Sequence, residues 1–456
     1  MPYTFNTPED QRAMLEAIGA ASIEELFQQV PAELQLSRPL NISPALGELA
    51  LTQHMQALAA RNDHAGSKVC FLGAGSYDHF VPAVVDSIAS RGEFYTSYTP
   101  YQAEVSQGNL QAMFEYQTLI CQLTGMDVSN ASLYDGGSAA AEAVFMCLAA
   151  ARNRNRVVVA GSVHPEYRHI IETYLQNLDF ELVTVTARDG VVTAADLAAE
   201  LDDRCACVLI QYPNFFGCIE QVDAITSAVH DAGALVVTAF DPISLGLLRR
   251  PGDWGADIVV AEGQSLGNPM QYGGPYLGIM ACREKFVRRM PGRIAGQTVD
   301  RRDRRCWVLT LQTREQHIRR EKATSNICTN QGLFALRTSI YLAAVGPQGL
   351  WEVAELSMRK AHYAAEQIAS HERFEIVGGQ PFFKEFVVRD RRGQVDQLLA
   401  DANQAGLLGG VPLGTWYPEL ADCFLVAVTE KRTKDEIDAL TSCLTGTTSN
   451  VETIHA

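Results

Sequence analysis

Short runs of apolar and β-branched residues recur through the middle of the chain, at 157–161, 181–187, 206–213, 234–240, 257–263 and 276–282. Helical stretches, such as 164–178 and 222–233, separate several of these runs. Continuous apolar strands that alternate with helices are typical of a mostly parallel sheet with helices on both faces. The last two runs lie too close together for a helical crossover, so we expect one of them to run antiparallel.

The pattern divides the 456 residues into three parts. Residues 1–65 contain short helices with N-caps at Thr7 and Ser22 and a proline-rich extended stretch, which predicts an arm. Residues 66–330 carry the strand and helix alternation of a large doubly wound domain. Residues 331–456 begin with a long helix, over 331–370, and end with a strand and a helix, which predicts a smaller C-terminal α/β domain.

Composition and charge exclude several classes of protein. A hydrophobic fraction of 47% and a charged fraction of 20% are ordinary for a globular protein with a large core. The sequence contains no apolar run long enough to span a membrane, and its first residues lack the pattern of a secretory leader. The net charge of −16 disfavours nucleic acid and anionic membranes as partners. We therefore expect a cytoplasmic protein.

The eleven cysteines are scattered through apolar stretches and form no C-x-x-C motif. His164 and His169 are five residues apart, so they do not share a helix face as an i, i+4 pair would. We expect reduced, mostly buried thiols and no metal site. The arginine-rich segment 301–305 also contains an acidic residue and no aromatic residue, which indicates a solvated turn.

Several residues are predicted to lie at the carboxyl ends of the strands, where ligands bind in doubly wound sheets. Gly136, Gly137 and Ser138 precede a long helix, and backbone N–H groups at such a start form a phosphate cradle, although any glycine-rich helix start looks similar. His164 follows a strand and is either a stacking partner for a flat cofactor ring or a structural histidine. Asp241 ends another strand and either pairs with a pyridine nitrogen or caps a helix.

The segment "AEGQSLGNPMQYGGPYLG" (261–278) resembles the loop on which pyridoxal-phosphate (PLP) enzymes of the aminotransferase-like fold carry their Schiff-base lysine. In that fold the lysine follows the strand-ending aspartate by roughly two dozen residues. Counting from Asp241 leads to Gln264, whose amide cannot form an imine. Of the seven lysines, Lys285 fits a surface helix and Lys322 lies far outside the expected spacing. We therefore do not expect covalent PLP on this chain alone.

Longer motifs resemble the P-protein family of the glycine cleavage system, glycine dehydrogenase (decarboxylating). They are the segments 71–85, 97–143, 211–220, 320–331 and 409–420, and together they extend over nearly the whole chain. In the split form of that family, subunit 2 carries a His-Lys-Thr loop that ends in Pro-His-Gly-Gly-Gly-Gly-Pro. Matching its prolines and glycines to Pro269 and to 273–275 here places the family lysine at Gln264. The chain is similar to subunit 1, the half without that lysine.

The resemblance implies a PLP-dependent transferase fold (aminotransferase fold type I) and an α2β2 heterotetramer with a PLP-bearing subunit 2. It also implies that glycine loses CO2 with PLP as the electron sink, and that the aminomethyl group passes to the oxidised lipoyl arm of the H-protein. Tyr95, Tyr98 and Tyr101 are candidates for a wall of the partner's active site, or alternatively for a structural dimer-contact loop.

Two other functions stay open at this stage. One is a stand-alone PLP lyase that uses Lys322 or another lysine, and the other is a scaffold subunit without a part in the active site. A separate alternative is that the pocket around Gly136, Gly137, Ser138, His164, Asp241 and Gln264 is a vestige of a PLP-binding ancestor. Such a pocket is empty, filled by side chains or used for regulation.

Overall fold

The computed structural model describes residues 6–151 and 153–446. The chain forms two compact units, Met1–Asp63 and His64–Ala456. The predicted boundaries at residues 65 and 330 between arm, large domain and small domain stay predictions.

The first unit contains two helices, α1 (Pro8–Ile18) and α2 (Glu48–Ala59), and neither buries a side chain. The predicted cap at Thr7 is confirmed: its hydroxyl accepts from Asp10 N, and the Asp10 carboxylate accepts from Thr7 N. The helix predicted after Ser22 is wrong in extent, because only the 3₁₀ turn Glu24–Phe27 forms. Pro31 limits that segment to eight residues, and no buried face stabilises a longer helix.

The second unit contains the remaining regular elements. Its helices are α3 (Ala83–Ala89), α4 (Gly92–Tyr95), α5 (Gln107–Thr124), α6 (Gly136–Ala150), α7 (Pro165–Leu175), α8 (Ala194–Leu197), α9 (Val222–Asp231), α10 (Gln316–Arg319), α11 (Gly332–Ala369), α12 (Val395–Gln404) and α13 (Lys434–Thr445). Its strands are β1 (Val69–Cys70), β2 (Val128–Ser129), β3 (Arg156–Ala160), β4 (Glu181–Val185), β5 (Cys205–Tyr212), β6 (Leu235–Phe240), β7 (Ile258–Glu262), β8 (Gly278–Cys282), β9 (Ile294–Val299), β10 (Arg305–Thr310), β11 (Phe374–Ile376), β12 (Glu385–Asp390), β13 (Leu407–Leu408), β14 (Val411–Pro412) and β15 (Cys423–Ala427).

A seven-stranded sheet in the order β2-β8-β7-β6-β5-β3-β4 forms the centre of this unit. Strands β4, β3, β5, β6 and β7 are parallel neighbours, whereas β8 runs antiparallel to both β7 and β2. The predicted mostly parallel sheet and its one reversed strand are confirmed. The reversal follows from the connection between β7 and β8, which contains no crossover helix. All parallel strands therefore end at the same edge of the sheet.

The core of this sheet is closely packed because α6 is almost entirely apolar. Its small residues Ala139, Ala140, Ala143 and Cys147 are fully buried. Close approach of a helix to a sheet needs such small side chains. Cys205 and Cys207 are buried as well, as predicted for structural thiols.

Two absences concern only the part of the chain that the structure describes. There, no group of three or more His, Cys, Asp or Glu side chains has a metal-binding arrangement. Nor is any helix within 6–151 and 153–446 long and apolar enough to cross a membrane.

A second, antiparallel sheet in the order β11-β12-β15-β14 packs with α11, α12 and α13. The single long helix predicted over 331–370 is interrupted: Gly346 has φ 61° and ψ −177°, and Pro347 follows it. Proline lacks the N–H group that an unbroken helix needs, so the axis changes direction there. The exposed hairpin turn between β9 and β10 contains Arg301, Arg302 and Arg304, as predicted for a solvated turn, whereas Arg305 is the first residue of β10.

The two sheets are joined at the loop that follows β5. Ile219 N donates to Pro381 O at 2.8 Å, and Phe383 N donates to Gly217 O at 3.1 Å. Gly217 has φ 83°, and a Cβ atom there would lie 1.9 Å from Glu385 O. This backbone contact brings residues 383–385 to the carboxyl edge of the large sheet.

We expect Gly217→Ala to lower the free energy of unfolding by more than about 3 kcal/mol, because its Cβ would overlap a backbone oxygen. Gly393→Ala is the matched control, since Gly393 also has a positive φ, 63°, but no atom lies within 4 Å of its added Cβ. The control should cost only about 1 kcal/mol of left-handed backbone strain. Denaturant unfolding measures both free energies. Equal losses of unfolding free energy in the two variants would contradict the close backbone contact at Gly217.

Candidate functional site

Four of the candidate site residues, His164, Asp241, Gly136 and Gln264, lie in one cluster at the carboxyl edge of the large sheet. His164 and Asp241 line one cavity, and Tyr77, Tyr167, Glu262, Lys384 and Glu385 line it with them. Gly136 and Gln264 contact the same cluster through Glu262. The topology therefore assembles residues from distant parts of the sequence in one place.

Gln264 is buried and serves as a backbone clamp. Its Oε1 accepts from Tyr77 N at 2.9 Å, and its Nε2 donates to Tyr77 O at 3.0 Å. The same Nε2 donates to Asn268 O at 2.8 Å. One side-chain amide thus satisfies both backbone groups of a residue on the loop that follows β1. An ammonium group has no acceptor, so a lysine could not make this pair of bonds.

The start of α6 has the predicted form, and two of its N–H groups are already bonded within the chain. Gly136 N donates to Glu262 Oε2 at 3.1 Å, and Ser138 N donates to the N-cap Asp135 at 2.7 Å. A Cβ atom on Gly136 would lie 2.1 Å from the Tyr167 hydroxyl, and one on Gly137 would lie 2.4 Å from Ile170. The two glycines therefore allow α7 to pack closely against this helix start.

His164 is the N-cap of α7, and its ring makes only internal contacts. Nδ1 accepts from Glu166 N, and Nε2 faces Ala74 O at 2.8 Å. The ring stacks on Tyr167 with centroids 4.9 Å apart and planes inclined by 19°. Burial lowers the pKa of His164. The structural interpretation of this histidine fits these contacts, since Tyr167 already stacks on one face of the ring.

Asp241 has two partners. Its Oδ1 accepts from Ile243 N at 3.0 Å, as in a helix cap, and its Oδ2 lies 2.7 Å from Lys384 Nζ. Lys384 is 1% exposed, and its ammonium lies 3.0 Å from His79 Nε2 and 3.6 Å from the centroid of the Tyr77 ring. This carboxylate, a candidate either for a pyridine nitrogen or for a helix cap, thus bonds as a cap and is neutralised by a buried lysine.

Two buried glutamates have strongly altered acidity. Burial raises the pKa of Glu262 to about 8, although backbone N–H groups of Leu277, Gly136 and Gln264 oppose the shift. Burial likewise raises the pKa of Glu385 to about 7, against hydrogen bonds from the Tyr77 hydroxyl and from Ala74 N. Near neutral pH the Glu262 carboxyl group is therefore mostly protonated, and the Glu385 carboxyl group is close to half protonated.

The residues of this pocket do not fit PLP. Gln264 provides no amine for a Schiff base. Glu262 accepts the hydrogen bond from Gly136 N, and Lys384 forms an ion pair with Asp241, so neither group is available to a cofactor. The free volume is about 30 Å³, which is room for one or two water molecules and far too little for a phosphorylated pyridine ring. No step of catalysis is therefore assigned to this pocket.

The other predicted residues lie apart from it. Tyr95, Tyr98 and Tyr101 are 68%, 89% and 75% exposed, and none of them lines the pocket. Lys285 is a surface residue that pairs with Asp257 at 3.0 Å, as expected. Lys322 is exposed on a 3₁₀ turn.

Sequence reasoning did not find Lys384, Glu262 or Tyr77. One signal was present: Lys384 and Glu385 interrupt the apolar run "PFFKEFVV". Charged residues within a strand pattern indicate a buried ion pair or a site, because isolated buried charges are costly. The partner of each residue depends on the fold and is not visible in the local pattern.

Comparisons with known proteins identify the family of the chain. A family model described as "Glycine cleavage system P-protein" matches residues 2–444. A protein of Desulforamulus reducens named probable glycine dehydrogenase (decarboxylating) subunit 1 is 50% identical over 444 residues, which cover 97% of this chain and 99% of that protein. A protein of the same name in Carboxydothermus hydrogenoformans is 51% identical over 446 residues, covering 98% and 100%.

Solved structures give the same result. A crystal structure of glycine decarboxylase (P-protein) of the glycine cleavage system, in inhibitor-bound form, matches with a TM-score of 0.87 and 42% identity, covering 98% of this chain and 100% of that one. A sphingosine-1-phosphate lyase of Burkholderia pseudomallei shares the fold alone, with a TM-score of 0.67 at 13% identity, and covers 92% of this chain and 94% of that one. The predicted PLP-transferase-like fold is confirmed.

The raised pKa of Glu385 predicts a pH-dependent stability. A carboxyl group with a raised pKa in the folded state stabilises the protein fully below its unfolded pKa, near 4.5, and this stability is lost as pH rises through about 7. Glu385→Gln removes the titration and keeps a group that can bond to Tyr77. Relative to the wild type, the variant should gain roughly 2–3 kcal/mol in unfolding free energy between pH 4.5 and 8. Denaturant unfolding of both proteins across this pH range measures the difference. Parallel curves of unfolding free energy against pH would contradict the raised pKa of Glu385.

Proposed function

The chain belongs to the P-protein family of the glycine cleavage system. We propose that it is the subunit without the Schiff-base lysine in a two-subunit glycine decarboxylase. In this proposal a second subunit, the P-protein subunit 2, holds PLP covalently, and the complex breaks down glycine. The observation that carries the proposal is Gln264: it stands at the family lysine position, and both ends of its amide are bonded to the Tyr77 backbone.

The chemistry of the complex defines what this chain has to contribute. PLP supplies an electron sink for the carbanion that remains when glycine loses CO2. A reaction of this kind proceeds best in a cavity shielded from water. Since the pocket of this chain is closed, its contribution is to wall and shape the cavity of the partner subunit.

The tyrosine surface, defined as Tyr95, Tyr98 and Tyr101, supports such a contribution. Three neighbouring aromatic side chains are at least two-thirds exposed. Tyrosine is enriched at protein interfaces, where its ring packs and its hydroxyl stays hydrogen-bonded. A partner subunit seated on this surface would remove the rings from water and bring them beside its own cavity.

The first unit supports an assembly as well. Its two helices bury no side chain and expose Met14, Ile18, Leu49, Leu51 and Met55. Exposed apolar side chains at this density indicate a segment that another chain covers. The α2β2 stoichiometry, the transfer of the aminomethyl group to the lipoyl arm of the H-protein and the cytoplasmic location belong to the proposal, on the strength of the family resemblance.

A stand-alone PLP lyase is less well supported. Lys384 is the lysine at the pocket, and its ammonium is held by Asp241 and His79. Lys322 lies exposed on a 3₁₀ turn and does not line the pocket. Neither lysine has the position that a Schiff base with PLP would need.

Reconstitution tests the proposal. We expect the purified chain alone to show no exchange between the glycine carboxyl group and labelled CO2, because it lacks a site for PLP. Co-expression with subunit 2 from the same genome should yield a stable complex with exchange activity, and subunit 2 alone should be at least tenfold less active. Exchange by the isolated chain would contradict the proposal and favour the stand-alone lyase.

Replacement of Tyr98 separates a wall from a scaffold. In the assembled complex, Tyr98→Ala should lower the exchange rate at least tenfold at saturating glycine, since it opens the proposed wall to water. Tyr98→Phe is the matched control and should keep most of the activity, because the ring itself forms the wall. The elution volume of the complex on size exclusion must stay unchanged. An unaltered rate in an intact Tyr98→Ala complex would count against the wall.

A further inference from the structure

Glu262 lies against the start of α6, and Lys384 lies against Asp241. We propose that they close the pocket from within: the Glu262 carboxyl group occupies the place of a phosphate at the start of α6, and the Lys384 ammonium takes the carboxylate that a pyridine nitrogen would use. The inference rests on the proposed function only for the identity of the excluded cofactor.

The surroundings of Glu262 are those of a bound anion. Leu277 N, Gly136 N and Gln264 N donate to its two oxygens at 2.9, 3.1 and 3.1 Å. The three donors come from three segments: the loop before β8, the first residue of α6 and the turn after β7. Helix N-termini and convergent backbone N–H groups are the usual binding elements for phosphate. Here a side chain of the chain itself satisfies them.

Space at the helix start is also taken. Tyr167 lies over Gly136, where a Cβ atom would meet its hydroxyl at 2.1 Å, and it stacks on His164. The elements predicted to hold a phosphate and a ring therefore contact each other. Removal of the Glu262 side chain alone would uncover the three N–H groups.

Lys384 closes the opposite end of the pocket. Its ammonium contacts Asp241 and His79, and His79 in turn lies 2.6 Å from Glu430. A ligand nitrogen could reach Asp241 only by displacing this buried cation, which would leave an unpaired charge away from water. The ammonium also covers the Tyr77 ring, so little surface remains for a flat ligand.

Thermal unfolding of the full-length chain tests the phosphate half of the proposal. The probe is inorganic phosphate, with sodium chloride at equal ionic strength as reference. Glu262→Ala should unfold at a lower temperature than the wild type, and phosphate should raise its melting temperature by about 2 °C or more. The wild type should show no phosphate-dependent shift.

Glu220→Ala is the matched control. Glu220 is also buried, and its carboxylate accepts from Val192 N, the Ser162 hydroxyl and Asn214 Nδ2. This variant should lose stability and gain none from phosphate, because no helix start is uncovered. If Glu262→Ala does not fold, Glu262→Ser takes its place. A phosphate shift in the wild type, or none in a folded Glu262 variant, would overturn this half.

Pyridoxine 5′-phosphate tests the cation half, since it carries the ring and the phosphate but no aldehyde that reacts with surface lysines. Glu262→Ala should bind it no better than inorganic phosphate, because Lys384 still blocks the ring position. The double variant Glu262→Ala/Lys384→Ala should bind it at least tenfold more tightly than inorganic phosphate, as measured by calorimetry. Equal affinities in the folded double variant would overturn the role of Lys384.

These measurements are independent of catalysis. They use the isolated chain titrated with phosphate or pyridoxine 5′-phosphate, and they do not depend on the activity of the complex. Failure of the reconstitution experiment leaves the closed pocket intact, and a pocket that binds phosphate in the wild type leaves the partner assignment intact.

Discussion

The buried ion pair between Lys384 and Asp241 is the interaction on which the arrangement of the site depends. Asp241 follows β6 of the large sheet, and Lys384 precedes β12 of the C-terminal sheet. Loss of one partner from a buried pair costs about 3–5 kcal/mol, because the other charge stays unpaired away from water. The pair therefore links the two sheets, and the backbone contact at Gly217 joins them at a second point.

The same ion pair fills part of the pocket, together with the side chain of Glu262. In a PLP enzyme the ligand would neutralise the aspartate and satisfy the helix start; here Lys384 and Glu262 do so. Two hydrogen bonds of the Gln264 side chain hold the loop that carries Tyr77 against the end of β7. Asp241 and Gly136 N are thus satisfied by side chains of the chain itself.

Part of this account was predictable from local sequence. The strands were visible as apolar runs, the reversed β8 followed from a short connection, and the count from Asp241 led to Gln264. Pairings over long separations were not visible, because Lys384 and Asp241 are distant in sequence and meet only after both sheets have formed. The break at Gly346 was missed because the apolar periodicity continues through it. The helix after Ser22 was predicted too long, because caps alone do not stabilise a helix.

In the proposed complex the covalent cofactor lies on the partner subunit, and this chain only shapes its surroundings. Reduction of the assembled complex with borohydride, followed by peptide mapping by mass spectrometry, tests it most directly, because reduction fixes PLP to the lysine that holds it. The account predicts a single phosphopyridoxyl-lysine, on the partner subunit, and unmodified peptides for Lys322 and Lys384. A stoichiometric adduct on either of these lysines would contradict it.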